Sequence, residues 1–584
     1  KKHKIMGRKV ADLLVTMLVE AGVKRVYAVT GDSLNPVNDA VRRNGRLQWI
    51  HVRHEEAGAY AASMDAELDG IGCCMGSSGP GHVHLVNGLY DANRAGNPVI
   101  AIASTVETDK LGTENFQETN VTKLFDDCSK YCFMANTPAQ AAQGFQSAIQ
   151  HAIHQKGVGV VGLPGDVASA DATHISTSEQ NYFTSSKLQP GDQEMKTLAR
   201  VINENKKVML YCGHGCKDAQ DEVMQLAKKL NAPMGFSFRG KIYFDKENNP
   251  YAVGLNGLLG TKSGFKAMHE ADALVLLGTD FPYTNFLPEK NTIIQIDEKP
   301  ERIGRRAKVN FGYNGKIKDT LEALLPLLET KTETDFLDEM RALHQEVEEK
   351  YCSYVKDKGD AKKIHPEYVA SVIDEIASDD AIFTVDTGMS AVWAARYLKG
   401  KKNRYLTGSF NHGSMANAMP MAIGAGLGHP ERQVIALCGD GGISMLLGDL
   451  MTISQYKIPA KIIIFNNSSL GMVKLEMQVE GYPEWQTDMV NPDFALIAKA
   501  MNIHSWVVED PKNIQQALQE AFDHDGPAVV NIFTDPDALA MPPEINFEQI
   551  KGFAKTMGKM MLNGRTAEVI DTAKSDMKYL KEIF

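Results

Sequence analysis

The chain has no apolar run approaching the ~18 residues that a bilayer span needs. No signal-peptide apolar core follows Lys1-Lys2-His3-Lys4. Both absences predict a cytoplasmic protein. Excess positive charge is also missing: 62 Lys+Arg stand against 73 Asp+Glu, a net charge of −11, which argues against nucleic acid as a partner. The eight cysteines contain no C-x-x-C, and Cys128/Cys132 and Cys212/Cys216 stand four apart. That spacing supports neither a zinc site nor a disulfide framework, so buried or free thiols are expected. No short-period repeat is visible. What is present is ordinary globular composition, 43% hydrophobic and 23% charged over 584 residues. Such a length exceeds one core and predicts three or four domains.

The most informative stretch runs from Val434 to Asn467. Val434 to Cys438 reads as a buried parallel strand, Gly439-Asp440-Gly441-Gly442 follows, and Ile443 to Tyr456 has helical spacing. A second apolar strand, Lys461 to Phe465, ends in Asn466-Asn467. Glycines at a strand end let backbone N–H groups approach a phosphate, and the next helix offers its positive N-terminus. Asp440 and Asn467, 27 residues apart, supply hard oxygens at two strand ends of one βαβ unit. Oxygens of this kind beside a diphosphate make a Mg²⁺ site. Gly-Asp-Gly alone is commonly only a turn; the Asn-Asn at the next strand end gives it weight.

The rest of the chain alternates helices and strands. Strands are predicted at 26–29, 48–52, 71–75, 99–103 and 159–163, then at 208–211, 273–277 and 292–296, and last at 528–533. Polar stretches at 172–191 and 329–364 read as linkers. The predicted fold is α/β, with three Rossmann-like, doubly wound, mostly parallel domains at 1–180, 190–340 and 360–540. A helical tail at 541–584 follows. Val569, Ile570, Ala573, Met577, Leu580 and Phe584 form one apolar stripe of that tail.

Five segments together resemble the thiamine-diphosphate enzymes of the pyruvate oxidase and quinone-dependent pyruvate dehydrogenase group. They are Val29-Thr30-Gly31-Asp32-Ser33-Leu34-Asn35, Arg53-His54-Glu55-Glu56, Phe116-Gln117-Glu118-Thr119, Gly408 to Met415, and the stretch around Asp440. The resemblance covers almost the whole chain, in the order pyrimidine-binding, FAD-binding and diphosphate-binding domain. It implies thiamine diphosphate, Mg²⁺ and FAD as cofactors. Glu55 would be the carboxylate sharing a proton with the aminopyrimidine. Met415 would be the wedge under the thiazolium, with Gly413 and Ser414 beside it. The diphosphate would lie against Gly439, Asp440, Gly441, Gly442 and Gly471. Asp440, Asn467 and the carbonyl of Ser469 would hold Mg²⁺. FAD would contact Gly213, Arg239, Asn256, Gly257, Leu258, Leu259, Gly278, Thr279 and Asp297. Ser33, Phe116, Gln117, Met472, Val473 and Glu476 would surround the substrate.

The activity so implied is oxidative decarboxylation of pyruvate to acetate and CO₂, with electrons passing through FAD to a membrane quinone. The implied assembly is a homotetramer with shared active sites, and the tail would be a peripheral lipid contact on the inner face of the membrane. Two departures stand out: Lys316 in Asn314-Gly315-Lys316-Ile317, where the group has Gly-Asp, and Met472, where it often has Phe. Three alternatives stay open: a phosphate-dependent pyruvate oxidase using O₂, an acetohydroxyacid synthase, and a catalytically silent scaffold.

Overall fold

A computed structural model describes residues 8–177, 182 and 184–538. The proposed tail, with its apolar stripe, lies outside the described residues. Within them the chain builds three six-stranded sheets, every strand pairing in parallel. The first holds β1 (Arg25–Ala28), β2 (Gln48–His51), β3 (Gly72–Gly76), β4 (Val99–Thr105), β5 (Tyr131–Met134) and β6 (Val158–Pro164), in the order β2-β1-β3-β4-β6-β5. The second holds β7 (Val208–Cys212), β8 (Met234–Phe236), β9 (Ala252–Leu255), β10 (Ala273–Leu277), β11 (Thr292–Asp297) and β12 (Phe311–Asn314), in the order β12-β11-β10-β7-β8-β9. A two-residue hairpin pair, β13 (Gly359–Asp360) and β14 (Lys363–Ile364), leads into the third. That sheet holds β15 (Ile382–Val385), β16 (Tyr405–Gly408), β17 (Val434–Gly439), β18 (Ala460–Asn466), β19 (His504–Val508) and β20 (Ala528–Phe533), in the order β16-β15-β17-β18-β20-β19. The three doubly wound α/β domains expected from the alternating pattern are therefore present.

The strand orders locate the crevices. An open α/β sheet binds ligands at the carboxyl ends of the two adjacent strands where the winding reverses. That point lies between β1 and β3 in the first sheet, between β7 and β10 in the second, and between β15 and β17 in the third. The first and third sheets share one topology. The middle sheet differs: counted within the domain it runs 3-2-1-4-5-6, the order of dinucleotide-binding domains.

Small residues set how the first and third domains meet. The alanine-rich helix Glu55–Asp69 packs on helix Ala418–Gly428. A Cβ on Gly424 would run into the carbonyl of Ala61, so glycine permits the backbone approach. Asp91, on helix Val86–Ala95, accepts from Ser409 Oγ at 2.7 Å across the same interface.

Two local expectations fail. The segment at 329–364 is not all linker, because helix Asp335–Val355 fills most of it. That helix buries only Leu337, Met340, Tyr351 and Tyr354, so its charged face hides the pattern. The helix expected at 443–456 is broken into Asp440–Met445 and Leu450–Gln455. Between them buried Asp449 accepts from the backbone N–H of Arg53 at 2.8 Å and from Thr452 Oγ1 at 2.8 Å. Among the described residues no helix is long and apolar enough to cross a membrane.

Candidate functional site

The crevice of the third sheet is built by β15, β17 and β18. β17 ends at Gly439, and Asp440 opens the next helix, almost fully buried. Its carboxylate accepts from the N–H of Gly441 at 2.9 Å, the N–H of Ser468 at 2.6 Å and Asn491 Nδ2 at 2.7 Å. All three donors are neutral. Burial pushes the Asp440 carboxyl above its ordinary range, and these bonds offset that only partly. An anionic oxygen pair in such a place suits a hard cation. Gly442 is required by contact, because a Cβ there would run into Asp386 Oδ2.

Asn466, the last residue of β18, and Asn467 after it have different tasks. Asn466 is buried, donates to Asn531 Oδ1 at 3.1 Å and accepts from Asn491 Nδ2 at 2.9 Å. Asn467 is half-buried, and its Oδ1 accepts from the N–H of Ser469 at 3.1 Å. Ser468 between them has φ +52, which turns the chain back over Asp440. Gly471 is buried and opens helix Gly471–Glu480. Met415 is half-buried, and its methyl lies over Gly441 together with Leu470 and Met489. Gly413 takes φ +78 in open space. Ser414 receives Asn87 Nδ2 on its Oγ at 2.9 Å, and its N–H donates to Ser409 Oγ at 2.9 Å.

Glu55 belongs to the first domain. It starts helix Glu55–Asp69 after β2 and is 6% exposed. Its Oε2 pairs with His84 Nδ1 at 3.0 Å. Its Oε1 lies toward Gly81, where a Cβ would come within 3.2 Å. Glu56 turns the other way, accepting from Asn87 Nδ2 at 2.8 Å. Ser33, at the β1–β3 crevice, accepts the N–H of Ser78 on its Oγ at 2.9 Å. The Gln117 carbonyl accepts from Ser78 Oγ at 2.9 Å, which brings the 111–119 loop onto the same glycine turn. Gln117 has φ +62, and Phe116 beside it is 84% exposed. Gln117 is exposed too, with its backbone and Cβ against Gly79. On helix Gly471–Glu480, Val473 and Glu476 are exposed while Met472 packs partly against the core.

The middle domain gathers part of its predicted set. Gly213 and Gly278-Thr279 meet at the β7–β10 crevice, where a Cβ on Gly213 would run into the Gly278 carbonyl. Gly278 has φ +56. Asp297, buried at the end of β11, accepts the N–H of Lys299 at 2.9 Å, and burial raises its carboxyl above the ordinary range. Asn256 is buried and donates to the Gly264 carbonyl at 2.7 Å; Gly257 has φ +93 against the Tyr283 and Phe281 rings. Leu258 and Leu259 are half-buried. Arg239 is turned toward the first domain, where it pairs with Glu67 Oε1 at 3.3 Å. Lys316 donates to the Ser186 carbonyl at 2.7 Å, on the loop after β12.

Two residues of the third crevice have no motif to announce them. Asp386, at the end of β15, accepts from the Ala418 N–H at 3.0 Å, and burial pushes its carboxyl up to about 7. Gly388 two positions on has φ +120 and caps helix Met389–Tyr397. Asn491 ties Asp440 to Asn466 from a loop without regular structure. The one legible signal was Asp386-Thr387-Gly388 after an apolar strand.

Three family models match the chain in succession. They describe the N-terminal TPP binding domain of thiamine pyrophosphate enzymes, over residues 8–124, their central domain, over 195–324, and their C-terminal TPP binding domain, over 386–532. The chain is 34% identical over 584 residues to the protein YdaP of Bacillus subtilis, covering 99% of this chain and 100% of that one. It is 31% identical over 522 residues to the pyruvate oxidase of Lactiplantibacillus plantarum, covering 88% and 86%. It is 28% identical over 561 residues to the chloroplastic acetolactate synthase 1 of Oryza sativa subsp. japonica, covering 92% and 86%. With matches in all three domains and along full-length relatives, the chain belongs to the thiamine pyrophosphate enzymes.

Proposed function

We propose that this enzyme decarboxylates pyruvate oxidatively to acetate and CO₂, using thiamine diphosphate, Mg²⁺ and FAD, and passes the electrons to a quinone. The observation that carries the first half is Asp440: a buried carboxylate met only by neutral donors, at the reversal point of a parallel sheet. Asp440, Asn467 and the Ser469 carbonyl would hold Mg²⁺, and Gly439, Gly441, Gly442 and Gly471 would leave room for the diphosphate. Thiamine diphosphate, when bound, supplies an electron sink for the bond to the departing carboxylate. Glu55 would share a proton at the aminopyrimidine nitrogen, with Gly413, Ser414 and Met415 holding the ring system from the other side. Glu55 and Asp440 belong to different domains and have separate hydrogen-bond partners. A homo-oligomer, a tetramer in our reading, would bring Glu55 of one copy to Asp440 of another.

The middle domain supports FAD by its strand order, its glycine contact at the β7–β10 crevice and buried Asp297, an acceptor suited to a ribose hydroxyl. FAD there would accept two electrons. Asp32 supports water over phosphate as the acetyl acceptor. Its exposed carboxylate lies beside Ser33, whose N–H it accepts at 2.7 Å, and would repel a phosphate dianion. Deleting residues 566–584 should lower binding to liposomes if the tail is a lipid contact. The acetolactate synthase relative favours one second reading, joining of two keto acids. Anaerobic pyruvate should bleach bound flavin, quinone should restore it faster than O₂, and the product should be acetate. Acetolactate as the product, with the flavin unbleached, would establish the second reading instead.

A further inference from the structure

We infer that His84 is a positioning residue for Glu55, holding one oxygen of its carboxylate so that the other is presented to the crevice. The inference rests on the reading of Glu55 as the proton-sharing carboxylate. His84 Nδ1 lies 3.0 Å from Glu55 Oε2. Two lone pairs at that distance would repel, so Nδ1 carries the hydrogen and donates it. Glu55 is buried while the His84 side chain is 46% exposed, which places the imidazole as the outer wall of the carboxylate's site. Glu55 Oε1 faces Gly81, where a Cβ would stand 3.2 Å from it and run into Ser77 Oγ, so glycine there lets the carboxylate and Ser77 pack together.

A second ring fixes the first. The His54 and His84 rings stack with centroids 4.4 Å apart and planes 24° from parallel. His54 Nδ1 accepts the N–H of Glu56 at 3.2 Å, so that nitrogen is unprotonated. His54 caps the helix that Glu55 begins. The stack therefore ties the imidazole on Glu55 to the helix that carries Glu55. Rotation of the carboxylate would break the His84 bond, and rotation of His84 would break the stack. A carboxylate locked in this way is preorganised for one acceptor direction.

The test compares three variants, each purified and loaded with thiamine diphosphate and Mg²⁺. His84→Leu removes the donor; His84→Asn keeps an N–H near the Nδ1 position; Glu55→Gln replaces the charged carboxylate acceptor by a neutral amide. His84→Leu should lower kcat by about ten- to a hundredfold, the worth of a hydrogen bond to a charged group. Its cofactor affinity by calorimetry should stay within about threefold. It should also change the near-ultraviolet circular dichroism of the bound aminopyrimidine, a signal set by the proton at that ring. His84→Asn should restore most of both. In the apo protein, the ¹⁵N resonance of His84 Nδ1 should move when Glu55→Gln is introduced, a readout independent of turnover and of the cofactor. Equal loss in His84→Leu and His84→Asn would assign His84 to packing and overturn the inference. So would wild-type kcat and dichroism in His84→Leu while Glu55→Gln is inactive. If Glu55→Gln itself turns over normally, the reading of Glu55 falls first, and the inference with it.

Discussion

Glu67 and Arg239 meet 3.3 Å apart with side chains 5% and 12% exposed, and their pair joins the first domain to the second. The same carboxylate accepts from Tyr405 Oη at 2.8 Å and Thr407 Oγ1 at 3.0 Å, both on β16 of the third domain. One acid thus ties all three domains together. Burial opposes its ionisation, yet the charge of Arg239 and the hydrogen bonds from Tyr405 and Asn97 outweigh that cost and hold Glu67 down at about 2.

A buried pair that loses one partner leaves the other charge stranded, which costs about 3–5 kcal/mol. Glu67→Gln should therefore lower stability by roughly 3 kcal/mol at pH 7. The folded-state value is depressed, so the contribution is complete above the ordinary glutamate range and is lost as pH falls toward about 2. Denaturant melts of both proteins should converge as pH is lowered through that window. A gap that stays constant from pH 7 down to the acid limit of folding would refute the ionic account.

Asp440→Ala should weaken Mg²⁺-dependent binding of thiamine diphosphate by about a hundredfold or more, since even supporting residues of metal sites are worth 10–100-fold. Isothermal calorimetry with and without Mg²⁺ reads this directly. Unchanged affinity would remove Asp440 from the metal site.

Gly442→Ala should destabilise the fold by about 1–3 kcal/mol, the usual cost of an overpacked methyl group. Its Cβ would run into Asp386 Oδ2, and moving Asp386 would disturb the Ala418 N–H it accepts. A melting midpoint equal to that of the unaltered protein would show that the crevice is looser than its contacts indicate.

Glu55→Gln and Asp440→Ala proteins, each inactive alone, should recover partial activity when mixed under subunit exchange. Each hybrid site would draw an intact Glu55 from one copy and an intact Asp440 from the other. No recovery in a mixture proven to exchange would argue for sites contained within one chain.

The buried strands were legible because β17 and β18 are continuous apolar runs that nothing but a core strand explains. β19 was not, since in His504–Val508 only Val508 is buried and the segment carries no such run. Helix Asp335–Val355 was hidden by its own charges. Asp440 and Glu55 stood out through fixed neighbours in the chain. Asn491 and His84 did not, because what marks them is contact across the fold. Asn491 reaches Asp440 over 51 positions and His84 reaches Glu55 over 29, distances at which local pattern carries no information. Arg239 was singled out by resemblance alone, and its pairing with Glu67 across 172 positions is as invisible to local pattern as these.

We read Glu55 as the residue that activates thiamine diphosphate for decarboxylation of pyruvate. CO₂ release from carboxyl-labelled pyruvate tests it most directly, with wild-type and Glu55→Gln proteins both saturated with thiamine diphosphate and Mg²⁺. The wild type should release CO₂ only when the cofactor is present. Glu55→Gln should lose about 10²–10⁴-fold, the range of a single acid–base group, with cofactor still bound. Near-normal release by the cofactor-loaded Glu55→Gln protein, or none by the wild type, would contradict it.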